Sequence, residues 1–188
     1  MIELDLVYRS IKGSRLDKEE GDANLLALAR AITLGAPRLI AQTYTAVTRS
    51  SDNATDTSYV TLSSTTLPGG VMNLNGELII TQDWKVNASA TKKYLALDWG
   101  GSNVNASEVT DSNVQRTNYR IAIKNLNSLS TQSIFGHITF GGAWGNPTAT
   151  ADTTADVTID HKCKWAANIV GEQIALIGYS VWYYPGSV

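Results

Sequence analysis

Two hydrophobic periods divide the chain. Between Asp17 and Pro37 the apolar residues Leu25, Leu28, Ala29 and Ile32 recur at i, i+3, i+4 and i+7, which lays one stripe along a helix. Asp17 suits the N-cap, Glu20 stands three residues on as in a capping box, and Gly35 with Pro37 supplies the stop. Gly21 in the first turn costs about 1 kcal/mol relative to alanine. A helix of about four turns does not stand alone in water, so its stripe is expected to dock on its own chain or on partner copies. Ahead of it, Leu4–Tyr8 has the pattern of a short strand and Lys12-Gly13-Ser14 that of a turn.

From Arg38 onward the period is two. Segments rich in Val, Ile, Thr, Tyr and Trp alternate with clusters of Gly, Asn, Asp, Ser and Pro. The pattern predicts strands over 38–48, 58–63, 77–88, 93–99, 118–124, 132–140, 155–160 and 173–184, with loops at 49–57, 64–76, 100–117 and 141–154. Tyr119, Ile121 and Ile123 alternate with Arg120, Ala122 and Lys124, giving one buried and one wet face. Residues 173–184 are apolar on both faces, as expected of a central strand or of one whose outer face meets another subunit. Long crossings between strands predict a mainly β, jelly-roll-like antiparallel sandwich at 38–188, preceded by a strand-turn-helix arm at 1–37. No repeat of solenoid or propeller type is present.

Composition narrows the function. The 188 residues are 43% hydrophobic and only 17% charged, with a formal net charge of −2, where an average globular chain is roughly 25% charged. Lys92–Lys93 is the one adjacent basic pair, so no basic stripe offers a nucleic-acid partner. Cys163 is the single cysteine and can form no intrachain disulfide, which fits assembly in a reducing cytoplasm. The N-terminal residues lack the apolar run of a signal peptide, and no stretch is long enough to predict a membrane partner.

The segment Tyr8-Arg9-Ser10-Ile11-Lys12-Gly13-Ser14-Arg15-Leu16, followed by Glu19-Glu20-Gly21-Asp22-Ala23-Asn24-Leu25, resembles a motif of phage tail and fibre proteins. Its matching positions are Lys12, Gly13, Ser14, Leu16, Glu19 or Glu20, Asp22, Ala23 and Asn24. The family usually has Pro where this chain has Arg15, Val where it has Gly21, and Phe where it has Leu25. The resemblance implies an auxiliary virion component assembled in the host cytoplasm: a short tail fibre, spike or capsid-decoration subunit. It further implies a homotrimer whose arm, with Lys12, Gly13, Ser14, Leu16, Asp22 and Asn24 as anchor, docks on capsid or tail proteins. The docking or oligomer helix carries Leu25, Leu28, Ala29 and Ile32.

Candidate chemistry is sparse, and a non-enzymatic protein without cofactor or metal is expected. His137 and His161 are the only histidines and neither lies in a nucleophile motif. His137 alternates with Ile134, Ile138 and Phe140 and belongs on the polar face of a strand. Asp160-His161-Lys162-Cys163 places two soft ligands on one strand face, short of the three or four that zinc requires unless symmetry copies meet. Asp152, Asp156 and Asp160 recur every fourth residue, which predicts a solvated acidic face and not a calcium loop. Asn53, Asn87 and Asn105 begin Asn-X-Ser/Thr triplets, unremarkable in so Asn- and Thr-rich a chain. Of five tryptophans, Trp84, Trp165 and Trp182 sit in strand-like surroundings and suit a core or interface. Trp99 and Trp144 border Gly/Asn loops and are the candidates for contact with a host-surface glycan, the alternative to a purely structural role.

Overall fold

The computed structural model describes residues 25–26, 35–52, 57–87, 89, 91–109, 116–138, 142–144, 148–167 and 170–186, with backbone alone at 52, 105–107, 137–138 and 142–144. These form twelve strands: β1 (Arg38–Thr43), β2 (Val47–Asp52), β3 (Val60–Leu67), β4 (Glu77–Val86), β5 (Lys93–Trp99) and β6 (Ser102–Val109). The rest are β7 (Arg116–Asn125), β8 (Gln132–Ile138), β9 (Gly142–Trp144), β10 (Thr148–Ala149), β11 (Val157–Trp165) and β12 (Val170–Tyr184). The large sheet runs β1-β12-β4-β7-β8-β10, with β2 continuing along the same edge of β12 and β9 beside β8. The small sheet runs β3-β11-β5-β6. Every pairing is antiparallel. The protein is therefore mainly β, as its period-two pattern predicts.

The core lies between the sheets. From the large sheet come Leu78, Ile80, Trp84, Tyr119, Ile121, Ile123, Ile134, Leu176, Val181 and Tyr183. Leu95, Leu97, Trp99, Ile159, Cys163 and Trp165 answer from the small sheet. The Tyr119/Ile121/Ile123 face of β7 is buried and the Arg120/Lys124 face is exposed, as the alternation predicts. Each Leu or Ile so buried contributes about 1.5–3 kcal/mol.

Several loop expectations are corrected. Residues 102–109, placed in a loop by their polarity, form β6. Gly100 and Gly101 take φ of +58° and +84°, close a tight turn, and return the chain against β5. Among the described side chains of that strand, Val104 and Val109 are the apolar ones carried into the core, too few to mark it in the sequence. Likewise β3 runs on to Leu67, β2 to Asp52, and β9 and β10 occupy part of 141–154. The predicted strand 38–48 is broken at Tyr44, where β12 also slips register between Leu176 and Gly178. Gly178 is required there: a Cβ would stand 2.6 Å from the Thr43 carbonyl oxygen. Of the predicted arm, only Leu25 and Leu26 in helical conformation and Gly35–Pro37 are described; the strand, the turn, Leu28, Ala29 and Ile32 lie outside the described residues.

Two buried polar groups of residues fasten the sandwich. At one end Gln132 links three elements: its Oε1 accepts from the Trp99 indole N–H at 3.3 Å and from Ala151 N at 3.0 Å, and its Nε2 donates to Ala151 O and Asn125 Oδ1. Asn125 Nδ2 in turn donates to Asn73 O and Thr153 Oγ1. At the other end Lys93 of β5 reaches Glu172 of β12 at 3.1 Å, and Ser89 Oγ bridges them. Burial works against the Glu172 carboxylate, but hydrogen bonds from Ser89, Thr91 and Lys93 hold its pKa below the ordinary value.

A buried ion pair balances desolvation against attraction, so removing one partner is worse than removing both. Lys93→Met is expected to cost about 3–5 kcal/mol by leaving Glu172 charged and unpaired. Lys93→Met/Glu172→Leu should recover a large part of that loss. Urea midpoints of the three proteins check it: a double variant no better than the single would mean the pair is not a coupled unit.

Candidate functional site

Strand register carries residues far apart in sequence into one line across the outer face of the large sheet. Leu39 of β1 stands opposite Trp182 of β12, Trp182 opposite Ile79 of β4, Ile79 opposite Ala122 of β7, and Ala122 opposite Phe135 of β8. By strand alternation all five lie on the face opposite the core residues Tyr183, Val181, Leu78, Ile80, Ile121, Ile123 and Ile134, with Ile79 at the centre of the row itself only 9% exposed. Phe135 is 52% exposed, Leu39 44% and Trp182 37%. A depression opens beside this row, lined by Glu77, Ile79, Arg120, Ala122 and Phe135.

Polar rows flank the apolar one. On one side Tyr184, Glu77, Lys124 and Ser133 stand in sequence across the strands; on the other, Gln42, Ser180, Thr81 and Arg120. Thr81 and Ser180 hydroxyls bond at 2.7 Å. Farther along, Asp83 and Arg116 form a two-point ion pair. An apolar centre within a polar rim is the anatomy of a protein contact surface.

The outer face of the small sheet differs. Lys162 bonds Asp98 at 2.7 Å and lies 3.6 Å from Asp160; Lys92 pairs with Glu108; Lys164 packs over the rings of Tyr59 and Tyr94. Its charges are matched locally and its aromatic rings are already covered by a cation.

The structure places the predicted site residues as follows. Trp99 is fully buried and spends its indole N–H on Gln132, so contact with a glycan through Trp99 is excluded. It shares the parity of Leu95 and Leu97, which turn inward along β5; the adjacent Gly100-Gly101 turn lies just beyond it. Trp144 ends β9, its backbone opposite Gly136, and its side chain lies outside the described residues. His137 stands opposite Arg120 and Ala143 by register, its side chain likewise outside. Trp84 and Trp165 fill the core. Leu25 is exposed, and the anchor residues Lys12, Gly13, Ser14, Leu16, Asp22 and Asn24 lie outside the described residues.

Asp152 and Asp156 are exposed, as expected of a solvated acidic row, but the three carboxylates do not share one strand face. Asp152 caps its own turn through Thr154, Asp156 accepts from Gly69 N at 2.8 Å, and only Asp160 is in a strand. His161 and Cys163 do share a face, but it is the core face, closed to a metal on a symmetry axis. Burial pushes the Cys163 thiol up to about 11, which leaves it unreactive. Among the described residues, no group of three or more His, Cys, Asp or Glu could hold a metal ion.

His161 is instead the centre of a polar layer between the sheets. The Gln82 amide donates to its Nδ1 at 2.6 Å, which places the ring proton on Nε2. Its ring stacks on Tyr179 at 4.1 Å, and the Tyr179 hydroxyl meets Thr65 at 2.6 Å and Ser63 at 3.4 Å. Burial lowers its pKa from 6.5 to about 4, against a smaller opposing effect of Asp160.

No family model matches the chain, and no curated protein matches it. Among solved structures it is similar to peanut lectin bound to a nine-residue peptide, at 5% identity and a TM-score of 0.39, over 81% of this chain and 100% of that one. It is similar to the CBM2 module of the evolved Dit of Lactobacillus casei BL23 phage J-1, at 13% identity and 0.36, over 66% and 70%. It is also similar to the endo-1,3-β-glucanase of Streptomyces sioyaensis, at 8% identity and 0.38, over 65% and 69%. At these scores none of the likenesses carries a functional assignment.

The His161 environment sets an acid limit. Above pH 6.5 the ring is neutral folded and unfolded, and linkage contributes nothing. Between pH 6.5 and 4 the unfolded chain takes up a proton that the folded one refuses, so stability falls by up to about 3 kcal/mol and levels off below. His161→Phe keeps a ring against Tyr179 but cannot titrate. Its stability should start lower at pH 7, with Gln82 left unpaired, and lose correspondingly less on acidification. Parallel slopes for both proteins in denaturation at pH 7, 5.5 and 4 would refute this.

Proposed function

We propose that this chain is a non-enzymatic, auxiliary structural protein of a phage particle, of the short-fibre, spike or capsid-decoration type. It docks by its N-terminal arm on capsid or tail proteins and oligomerises through a jelly-roll-like β-domain, as a homotrimer in the form the motif implies. The observation that carries the reading is the apolar row Leu39–Trp182–Ile79–Ala122–Phe135, which exposes Leu39, Trp182 and Phe135 on a face with the composition of a protein contact. The Lys12-Gly13-Ser14 … Asp22-Ala23-Asn24 resemblance supplies the particle, and the stripe at Leu25, Leu28, Ala29 and Ile32 the docking element. With Trp99 in the core, the glycan alternative rests on Trp144 alone.

Multivalent docking on a symmetric particle needs only weak single contacts, so disrupting one stripe on every copy should abolish retention. Leu25→Asp/Leu28→Asp/Ile32→Asp in the full chain is expected to keep the β-domain's melting temperature and to be absent from purified particles, as judged by mass spectrometry. Normal incorporation of that variant would remove the arm's role; absence of the wild-type chain from particles would remove the reading itself.

A further inference from the structure

We infer that the outer face of the large sheet binds a second copy of this chain, with Trp182 of one copy seated in the depression over Ala122 of the next. The inference rests on the reading above that the β-domain self-associates, and specifies a two-fold contact between copies where the motif implies a three-fold one.

Large and small residues are ordered along the row so that it complements its own reverse. Laid against itself in the opposite sense, the row places Trp182 over Ala122, Ile79 over Ile79, and Leu39 over Phe135. The depression at Ala122 exists because alanine, flanked by Ile79 and Phe135, leaves the floor low. Trp182, two strands away, stands proud and 37% exposed, where Trp84, Trp99 and Trp165 are fully buried. The alanine provides a recess and the tryptophan a bulk to fill it.

The flanking rows agree with the same arrangement. Reversed, Tyr184 meets Lys124, a cation over an aromatic ring, and Ser180 meets Arg120, an acceptor for a guanidinium. The two Glu77 carboxylates fall between two Lys124 ammoniums. Asp83 and Arg116 neutralise each other within one copy. No block of like charge opposes approach.

The area suffices. Three outward rows across five strands, at ~4.8 Å between strands and ~3.4 Å per residue, cover on the order of 500 Å² per copy. The pair buries about 1,000 Å², the lower bound of a specific interface. A polar partner such as a glycan would need hydrogen-bonding groups in the centre of the patch, and the centre has none. Because the row is matched with its own reverse and Ile79 meets Ile79, the contact is isologous and closes about a two-fold axis as a pair of copies.

Sedimentation velocity of the full chain at micromolar concentration tests this. The wild type is expected as an oligomer and Ala122→Glu, which fills the recess with a charge, as a monomer with unchanged far-UV circular dichroism. Trp182→Ala should weaken association at least tenfold, and Trp182→Ala/Ala122→Trp, which exchanges knob and recess, should restore it. Should Ala122→Glu fail to fold, Trp182→Ala, which empties space outside the core, decides in its place. Oligomers of wild-type strength in both single variants would overturn the assignment of this face while leaving the oligomeric reading intact. A monomeric wild type would overturn both.

Discussion

The register between β12 and β4 fixes most of what the molecule presents. Ten cross-strand pairs from Ile174↔Val86 to Tyr184↔Glu77 hold the two central strands of the large sheet together, with one slip at Ile177. Side chains alternate strictly along a strand, so a shift of one residue would carry Val181, Tyr183, Leu78 and Ile80 to solvent and Trp182 and Ile79 into the core. The buried face is heavy enough to forbid that shift. What lies on the outer face is thus not free to vary independently: the core sets the register, and the register assembles the row.

The same rigidity explains why polar side chains survive in the interior. Gln132, Asn125 and Thr153 are almost fully enclosed, yet they close a network that ties Asn73, Leu129 and Ala151 of three separate loops to the sheet end. Lys93 and Glu172 do the corresponding work between β5 and β12 at the other end. Such groups add little net stability over apolar replacements of the same shape, but they penalise any arrangement that leaves them unpaired. His161 is the weakest of these fastenings, since Gln82 satisfies one ring nitrogen and the other has no partner among the described residues.

How far this was legible in the sequence depends on whether the governing contact is local. The strand at 93–99 and the two-faced 119–124 segment follow from alternation alone and coincide with β5 and β7. The doubly apolar 173–184 segment signals a central strand or a subunit contact; the structure shows the first, and Trp182 and Tyr184 keep the second open. β6 escaped because its Asn, Ser and Glu residues mimic a loop, and only pairing with β5 makes them a strand. The glycines beside Trp99 suggest a surface position, while its parity with Leu95 and Leu97 points inward, and the parity governs. The row itself could not be found: Leu39, Ile79, Ala122, Phe135 and Trp182 have no common spacing, and a line across strands is a property of register.

The two outer faces show what such a row costs the molecule. On the small sheet, Lys162 and Lys92 pair with Asp98 and Glu108, and Lys164 packs over the rings of Tyr59 and Tyr94, so charge and aromatic surface are both answered within the chain. On the large sheet, β12 and β8 put Trp182 and Phe135 where a Thr, Lys or Glu would preserve every backbone hydrogen bond and all of the core. Trp182 and Phe135 leave much of their apolar surface to solvent in the isolated fold, and exposed apolar surface of this kind is an aggregation hazard. A face of about 500 Å² supports only a modest contact by itself. Joined to a second attachment on the same chain, the effective concentration rises enough that a modest contact is sufficient, and a net charge of −2 offers little electrostatic resistance to bringing copies together.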